Sequence, residues 1–156
     1  MNDLSNKLIN IISEHGMKYE IFYHDDIFSA SEGKDLKLFP SEKVLKTLAF
    51  LIDDRFIFAV LRADQQIDYS KLAIAIKSHR KKIKKIPAKT IEELGYQIGG
   101  VSPLHLDSRI DTIFDIGAME QEEVYCGIGA RNMTLKMESQ DLLSLSQGAV
   151  HDISKH

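Results

Sequence analysis

The sequence predicts a single α+β domain with a mixed, mainly antiparallel sheet and helices interspersed among the strands. Three observations support this fold class. Some segments repeat their apolar residues at the helical period, several short runs alternate or are continuously apolar as strands are, and turn residues separate them. The length of 156 residues fits one domain over residues 1–156, with no internal repeat or linker.

The N-terminal part of the chain predicts a helix, a strand and a short second helix. Apolar residues recur at the helical period over residues 4–12, and Gly16 ends this helix. Residues 18–24 alternate as a half-buried strand does. Residues 29–32 have the spacing of a capping box, so we expect a short helix that ends near Gly33.

The middle of the chain predicts a hairpin and two helices. Residues 44–52 and 56–61 are apolar runs separated by two aspartates and an arginine, which predicts paired strands with a turn between them. Asp68 is suited to cap the helix that follows. Residues 90–93 have capping-box spacing again, and Gly95 is the expected end of that helix.

The C-terminal part predicts a loop, three strands and a helix. Three glycines and a proline fall within residues 95–103, which excludes a regular element and predicts a shaped loop. Residues 109–116, 124–128 and 133–137 are typical of strands, and Ser139 begins a short helix. We expect residues 148–156 to be a frayed tail.

Composition places the chain among soluble proteins of the cytoplasm. No run approaches eighteen apolar residues, and the N-terminus lacks the basic and then apolar order of a signal peptide, so no membrane partner is expected. The single cysteine, Cys126, excludes an internal disulfide and a thiolate metal cluster.

Charge is distributed unevenly along the chain. Residues 69–91 contain eight basic and no acidic residues, whereas the remainder carries 12 basic and 23 acidic ones. A solvated loop that serves solubility would explain this segment. The functional interpretation is a contact with a phosphate backbone, such as that of tRNA. The residues that would make this contact are Lys81, Lys82, Lys84 and Lys85.

The usual catalytic and cofactor motifs are absent. The two histidine and aspartate pairs lack a second histidine at metal-ligand spacing, so no metal site is expected. There is no Gly-x-Ser-x-Gly element for a serine hydrolase and no glycine pattern for a dinucleotide, so no cofactor is expected. Cys126 lies in an apolar strand and is predicted to be a packed thiol.

Lys46 is unusual because it lies within an apolar strand. Its stem could follow the core while its ammonium reaches solvent. Alternatively, the ammonium points into a pocket and holds an anion.

Three segments in order resemble the YbaK/EbsC family, which includes the editing domain of bacterial prolyl-tRNA synthetases and free-standing relatives. They are Lys46-Thr47-Leu48, then residues 95–104 with the sequence GYQIGGVSPL, then residues 125–129 with the sequence YCGIG. The resemblance runs from about residue 4 to residue 146, and residues 95–104 are its most specific part.

The resemblance implies a barrel-like sheet surrounded by helices, with a cleft between the lysine strand and the glycine loops. It implies hydrolysis of mischarged aminoacyl-tRNA without metal or cofactor, with the acceptor end of tRNA as substrate and a synthetase as a further partner. The catalytic roles fall on Lys46, Gly100 and Ser102. Substrate binding falls on Phe22, His24, Thr47, Val101, Pro103, Gly127 and Gly129.

This set of residues is chemically sufficient because an aminoacyl ester beside a free ribose hydroxyl is already activated. Alignment of a water or of that hydroxyl supplies much of the rate, and loop N–H groups can stabilise the oxyanion. Lys46 would hold the terminal phosphate. We therefore expect Lys46→Ala to abolish deacylation, and Cys126→Ala and His105→Ala to leave most of it.

Three positions depart from the family pattern of cysteine-specific members: Phe22 replaces a tyrosine, Gly127 a serine, and His105 a glycine. Cysteine specificity therefore does not carry over. Thr47 and Gly127 predict a small, weakly polar pocket, suited to alanine, serine or cysteine. A module that binds tRNA ends or a synthetase without hydrolysis is the alternative, and a small-metabolite sensor is a third interpretation.

Overall fold

The computed structural model describes residues 3–28 and 38–156. In this part of the chain, the helices are α1 (Asp3–Glu14), α2 (Tyr69–Ala75), α3 (Ala88–Glu93) and α4 (Ser139–Ser146). The strands are β1 (Tyr19–Tyr23), β2 (Leu45–Ile52), β3 (Arg55–Arg62), β4 (Lys84–Lys85), β5 (Ile110–Asp115), β6 (Glu123–Gly127), β7 (Met133–Glu138) and β8 (Ala149–His151).

The strands form two sheets. The smaller sheet has the order β1-β7-β6, and the larger has the order β4-β2-β3-β5-β8. Four pairings are antiparallel, whereas β3–β5 and β5–β8 are parallel. The prediction of a mixed, mainly antiparallel sheet with helices is therefore confirmed.

The two sheets meet at one parallel bridge between Val44, just before β2, and Tyr125 in β6. Within residues 3–28 and 38–156, the pairing of strands does not close the sheets into a barrel. The barrel-like detail is therefore not confirmed. The bridge is functionally important because it brings the start of the Lys46 strand beside β6.

The smaller sheet presents two different faces. The registers Ile21↔Leu135 and Cys126↔Leu135 put apolar side chains on one face, where they pack with α1 in the core. The registers Phe22↔Thr134 and Gly127↔Thr134 put a polar hydroxyl on the other face. This alternation follows from the two-residue period of a strand, and it determines which side chains can reach the cleft described below.

Strand β3 is the centre of the larger sheet and accounts for much of the core. Residues 56–61 are all buried, because the sheet is covered on both faces. The predicted hairpin of residues 44–52 and 56–61 is confirmed as β2 and β3, paired from Leu45↔Arg62 to Ile52↔Arg55. The predicted cap is confirmed as well, since the Asp68 side chain accepts hydrogen bonds from Ser70 N and Lys71 N.

Capping-box spacing predicted two helix starts, near residues 29–32 and at residues 90–93. The capping box at residues 90–93 is wrong, because α3 already begins at Ala88, after Pro87 as its N-cap residue with no side-chain cap. Proline has φ restricted near −65°, so it lies easily at the start of a helix and moves the boundary upstream. The helix predicted near residues 29–33 lies outside the described residues.

The prediction of a frayed tail at residues 148–156 is wrong. Strand β8 pairs in parallel with β5, Ile153 is completely buried, and Ile67 bridges to Ser154. The buried carboxylate of Asp115 accepts hydrogen bonds from Ile153 N at 2.9 Å and from Ser154 Oγ at 3.2 Å. Sequence alone does not reveal this anchor because Asp115 lies 38 residues before Ile153.

Candidate active site

A cleft of about 270 Å³ opens where the two sheets meet. Its polar and charged lining consists of His24, Lys46, Thr47, Tyr125, Arg131 and Thr134. Its apolar lining consists of Ile27, Phe28, Phe39, Val44, Leu45, Leu48, Val101, Cys126 and Met133. A concave site with apolar walls and a few polar groups is the usual form of a small-molecule site.

Lys46 reaches this cleft from β2 and is half-buried there. Its ammonium donates a hydrogen bond to the backbone carbonyl of Gln65, in the segment after β3. Gly99, Val101 and Gly127 line the same cleft. The lysine strand and both glycine segments therefore meet, as the resemblance implied, and the ammonium is held by protein groups at this cleft.

Two glycines of the cleft wall allow backbone segments to approach closely. Gly99 has φ +90°, and a Cβ there would collide with the carbonyl oxygen of Ile27. A Cβ on Gly127 would collide with the carbonyl oxygen of Val101. A larger residue at position 99 would push the loop of residues 95–103 away from the segment after β1, and one at position 127 would push it away from β6, so these glycines determine the shape of the cleft.

Gly100 and Gly129 lie behind the wall and not in the cleft. The N–H of Gly129 donates to Gly100 O at 2.7 Å, and the N–H of Gly100 donates to Gln97 O at 2.9 Å. A Cβ on Gly100 would approach the backbone of Ala130 within 2.6 Å. Both N–H groups are thus engaged within the protein, and the catalytic role expected for Gly100 and the substrate contact expected for Gly129 stay predictions.

Ser102 and Pro103 are also part of this scaffold. Ser102 is completely buried, and its Oγ accepts a hydrogen bond from Leu104 N at 3.1 Å. Pro103 is buried, and its carbonyl accepts from Thr112 Oγ1 at 3.4 Å. Tyr96 donates from its hydroxyl to Leu104 O at 2.7 Å. These bonds fix the conformation of the loop, so its specific sequence is needed for its shape. Val101 lines the cleft, whereas Ser102 and Pro103 do not.

An aromatic group closes one side of the cleft. Phe39 stacks on Tyr125 with ring centroids 4.7 Å apart, and Phe22 packs against both rings at 5.6 and 5.9 Å. Phe22 therefore supports the wall from its outer side. Phe39 and Tyr125 were not assigned from the sequence, because only the tertiary structure brings Phe39, from the segment before β2, onto the β6 residue Tyr125.

Thr47, as expected, lies in the cleft. Its hydroxyl oxygen is buried and has no hydrogen-bond partner within the described residues. A buried hydroxyl without a partner carries a free-energy cost, which a substrate group could remove by hydrogen bonding.

Arg131 is a second cation of the cleft that sequence reasoning missed. It lies in the turn between β6 and β7, and its guanidinium lies 4.8 Å from the centroid of the Phe28 ring. Its Nε is buried without a hydrogen-bond partner among the described residues. A basic residue in a hairpin turn ordinarily indicates solvent exposure, so the sequence offered no signal for this position.

Cys126 and His105, which the sequence did not favour as catalytic groups, occupy different surroundings. Cys126 is buried, and this burial raises the pKa of its thiol to about 12, so it is a poor nucleophile near neutrality. The prediction of a packed thiol is confirmed. The His105 side chain packs on Phe58 and lines a separate pocket, away from the cleft.

The basic segment lies on the same sheet as Lys46. Strand β4 pairs with the far half of β2 through Phe50↔Lys85, and Lys81, Lys82, Lys84 and Lys85 are exposed. Phe50 lies four positions after Lys46 in β2, and four positions correspond to about 13 Å along a strand. A chain of phosphates with one member bound at Lys46 could therefore extend toward these lysines.

Two features are absent from residues 3–28 and 38–156. No group of three or more histidine, cysteine, aspartate or glutamate side chains in this part is arranged to hold a metal ion. No helix in it has the length and apolar character needed to cross a membrane.

Similarity to known proteins agrees with this geometry. Residues 24–145 match the family described as the aminoacyl-tRNA editing domain. A protein of Enterococcus faecalis named as a Cys-tRNA(Pro)/Cys-tRNA(Cys) deacylase, EbsC, is 27% identical over 139 residues, covering 88% of this chain and 84% of the relative.

Solved structures of low sequence identity share the fold. One, described as a trans-editing enzyme for prolyl-tRNA synthetase, has a TM-score of 0.84 at 16% identity and covers 100% of this chain and 99% of its own. A hypothetical protein has a TM-score of 0.83 at 22% identity, covering 96% and 99%. The family match spans most of the chain and includes the cleft residues from His24 to Thr134, so this protein belongs to the aminoacyl-tRNA editing domain family, of the YbaK/EbsC type.

Proposed function

We propose that this protein is a trans-acting deacylase that hydrolyses the ester bond of mischarged aminoacyl-tRNA. The observation that carries the proposal is the meeting of Lys46 with the glycine segments at Gly99, Val101 and Gly127 around one cleft. Family membership and the name of the enterococcal relative point to the same reaction.

We propose that catalysis is mainly positional and independent of metal. An aminoacyl ester next to a ribose hydroxyl is reactive, so the protein needs only to align it with a water or with that hydroxyl. Lys46 would pair with the terminal phosphate, and Arg131 adds a second positive charge in the cleft. Since the N–H groups of Gly100 and Gly129 are engaged, oxyanion stabilisation would fall to the backbone of Gly99 or Val101.

We propose a small amino acid, such as alanine, serine or cysteine, as the group that is removed. The cleft is small, its walls are mostly apolar, and Thr47 offers one hydroxyl. A hydrophobic pocket separates amino acids of neighbouring size only modestly, so the tRNA, such as tRNA-Pro, or an associated synthetase would contribute to selectivity. The exposed lysines of β4 and the preceding turn would contact the tRNA backbone.

The test is single-turnover deacylation of Ala-, Ser- and Cys-tRNA by the wild type and by Lys46→Ala. We expect the wild type to hydrolyse at least one of them, the variant to lose this activity, and EDTA to leave the wild-type rate unchanged. Lys7→Ala, which removes an exposed lysine of α1, is the control and should behave as the wild type. Full activity in Lys46→Ala would defeat the proposed role of the lysine.

The same experiment addresses the alternative of a non-catalytic module that binds tRNA ends or a synthetase. The burial of Ser102 and the engaged N–H of Gly100 keep that alternative relevant, because two of the expected catalytic groups do not reach the cleft. Salt-dependent tRNA binding without hydrolysis of any charged tRNA would favour it.

A further inference from the structure

His24 and Thr134 form a hydrogen-bonded pair inside the cleft. His24 directly follows β1, and its backbone N–H donates to Asn132 O at 3.0 Å, so its position next to β7 is fixed. Its imidazole Nε2 lies 2.8 Å from Thr134 Oγ1, and both side chains line the cleft. This pair links the two strands at the point where substrate would enter.

The hydrogen bonds of the imidazole determine its tautomer. Nδ1 lies 2.7 Å from the backbone carbonyl of Asp25, and a carbonyl oxygen can only accept. In the neutral ring the proton therefore lies on Nδ1, and Nε2 carries the lone pair. The hydroxyl of Thr134 then donates to Nε2. A hydroxyl bonded to a base, which a third group orients in turn, is the arrangement that activates oxygen nucleophiles.

The neighbouring strand brings backbone, and no side chain, beside this hydroxyl. Gly127 is the cross-strand partner of Thr134 in β6, so no side chain projects beside Thr134 from that position. The collision of a Cβ at Gly127 with Val101 O shows that the glycine loop lies directly against it. The ionisable side chains that line the cleft together with the pair are Lys46, Tyr125 and Arg131, and Asp25 and Asp26 follow His24 in the chain.

We infer that Thr134 contacts the attacking water and that His24 is the base behind it. This inference rests on the proposed deacylase function and adds a proton acceptor to it. The water oxygen bonds to the ester carbonyl carbon, while a water proton passes to Thr134 Oγ and the hydroxyl proton passes to His24 Nε2. The bond from carbon to the ribose oxygen then breaks, and that oxygen takes the proton back along the same path. The products are the free amino acid and tRNA with its hydroxyl restored.

The experiment measures kcat and KM across pH on whichever of Ala-, Ser- or Cys-tRNA the wild type hydrolyses fastest. We expect His24→Gln and Thr134→Val to lower kcat about 100-fold or more with little change in KM, as loss of general base catalysis does. The acid limb of the wild-type pH profile should disappear in His24→Gln. Thr134→Ser should retain activity within about tenfold, because it keeps the hydroxyl, and the double variant should be no slower than either single one.

Two controls separate chemistry from folding. His105→Gln alters a histidine of a different pocket and should retain the wild-type pH profile. Free imidazole should restore part of the activity of His24→Gly, which a purely structural role would not allow. The inference would be overturned if His24→Gln kept kcat within about threefold of the wild type and left the acid limb unchanged. In that case a substrate group would accept the proton. A wild type that hydrolyses none of the charged tRNAs would overturn the proposed function itself.

Discussion

The backbone N–H of Gly129 donates to the carbonyl of Gly100 at 2.7 Å, and this bond joins the two glycine segments of the family motif. Gln97 N donates to Gly129 O at 2.8 Å, and Arg131 N donates to the Gln97 side chain at 3.0 Å. The glycines are therefore needed chiefly so that two stretches of backbone can touch. The side chains that line the cleft are carried by their neighbours, Val101 and Arg131 among them.

The first prediction compares two glycines that both have positive φ. Gly16 has φ +68° and open space around its Cβ position, whereas a Cβ at Gly99, with φ +90°, would collide with Ile27 O. We expect Gly16→Ala to cost about 1 kcal/mol from backbone conformation alone. Gly99→Ala should cost about 1–3 kcal/mol more from overpacking, and it should also slow deacylation. Urea unfolding of both variants measures this difference, and equal costs would contradict it.

The second prediction concerns the basic segment. Replacement of Lys81, Lys82, Lys84 and Lys85 by glutamine should weaken tRNA binding and make its salt dependence shallower. The slope of log K against log salt should fall by roughly 0.9 for each phosphate contact that is lost. Replacement of Lys7, Lys18 and Lys155, exposed lysines elsewhere, is the control. An unchanged salt slope in the first variant would assign these lysines to solubility only.

The third prediction concerns the C-terminal anchor. Asp115 is completely buried and accepts hydrogen bonds from Gly117 N, Ile153 N and Ser154 Oγ. Asp115→Ala would leave these buried donors without an acceptor, so we expect a loss of roughly 2–4 kcal/mol of unfolding free energy. The tail should also become sensitive to protease.

Asp152→Ala is the matched control for Asp115→Ala. Asp152 lies in the same tail and pairs with Lys71 at 3.1 Å, but it is exposed to solvent, so its loss should cost much less unfolding free energy than the loss of Asp115. If both variants were equally stable in urea, the buried carboxylate would not be the anchor of the tail.

The fourth prediction concerns pH and stability. Burial holds the pKa of His105 below the ordinary value of 6.5. Below pH 6.5 the unfolded chain therefore binds a proton that the folded protein excludes, and stability falls with pH until the folded ring is protonated too. Between about pH 8 and about pH 5, the wild type should lose more unfolding free energy than His105→Gln. Parallel losses in urea titrations at each pH would rule this contribution out.

The fold was predictable where local patterns coincide with tertiary structure. The hairpin of β2 and β3 is clear from two apolar runs and an acidic turn, and Asp68 marks the start of α2 by its capping chemistry. Predictions failed where distant contacts decide the outcome. The tail after Gly148 is polar and short in sequence, yet its pairing with β5 and its bonds to Asp115 make it part of the core.

The candidate site was predicted in part for the same reason. Lys46, Thr47, Val101, Gly127 and His24 do line the cleft. Ser102 and Gly100 do not, because their polar groups are used within the loop. Membership of a motif shows that a residue type is required at a position, but the requirement can be structural, and only the contacts distinguish the two cases.

The sequence by itself determined the α+β class, the lysine within an apolar strand, the family motif and the concentration of positive charge in residues 69–91. Tertiary structure decided which residues line or support the cleft. The reason is geometric: strand register puts Phe22, His24 and Thr134 on one face of the smaller sheet, and the single bridge between Val44 and Tyr125 brings that face against Lys46. Neither register nor the bridge has a local signature in the chain.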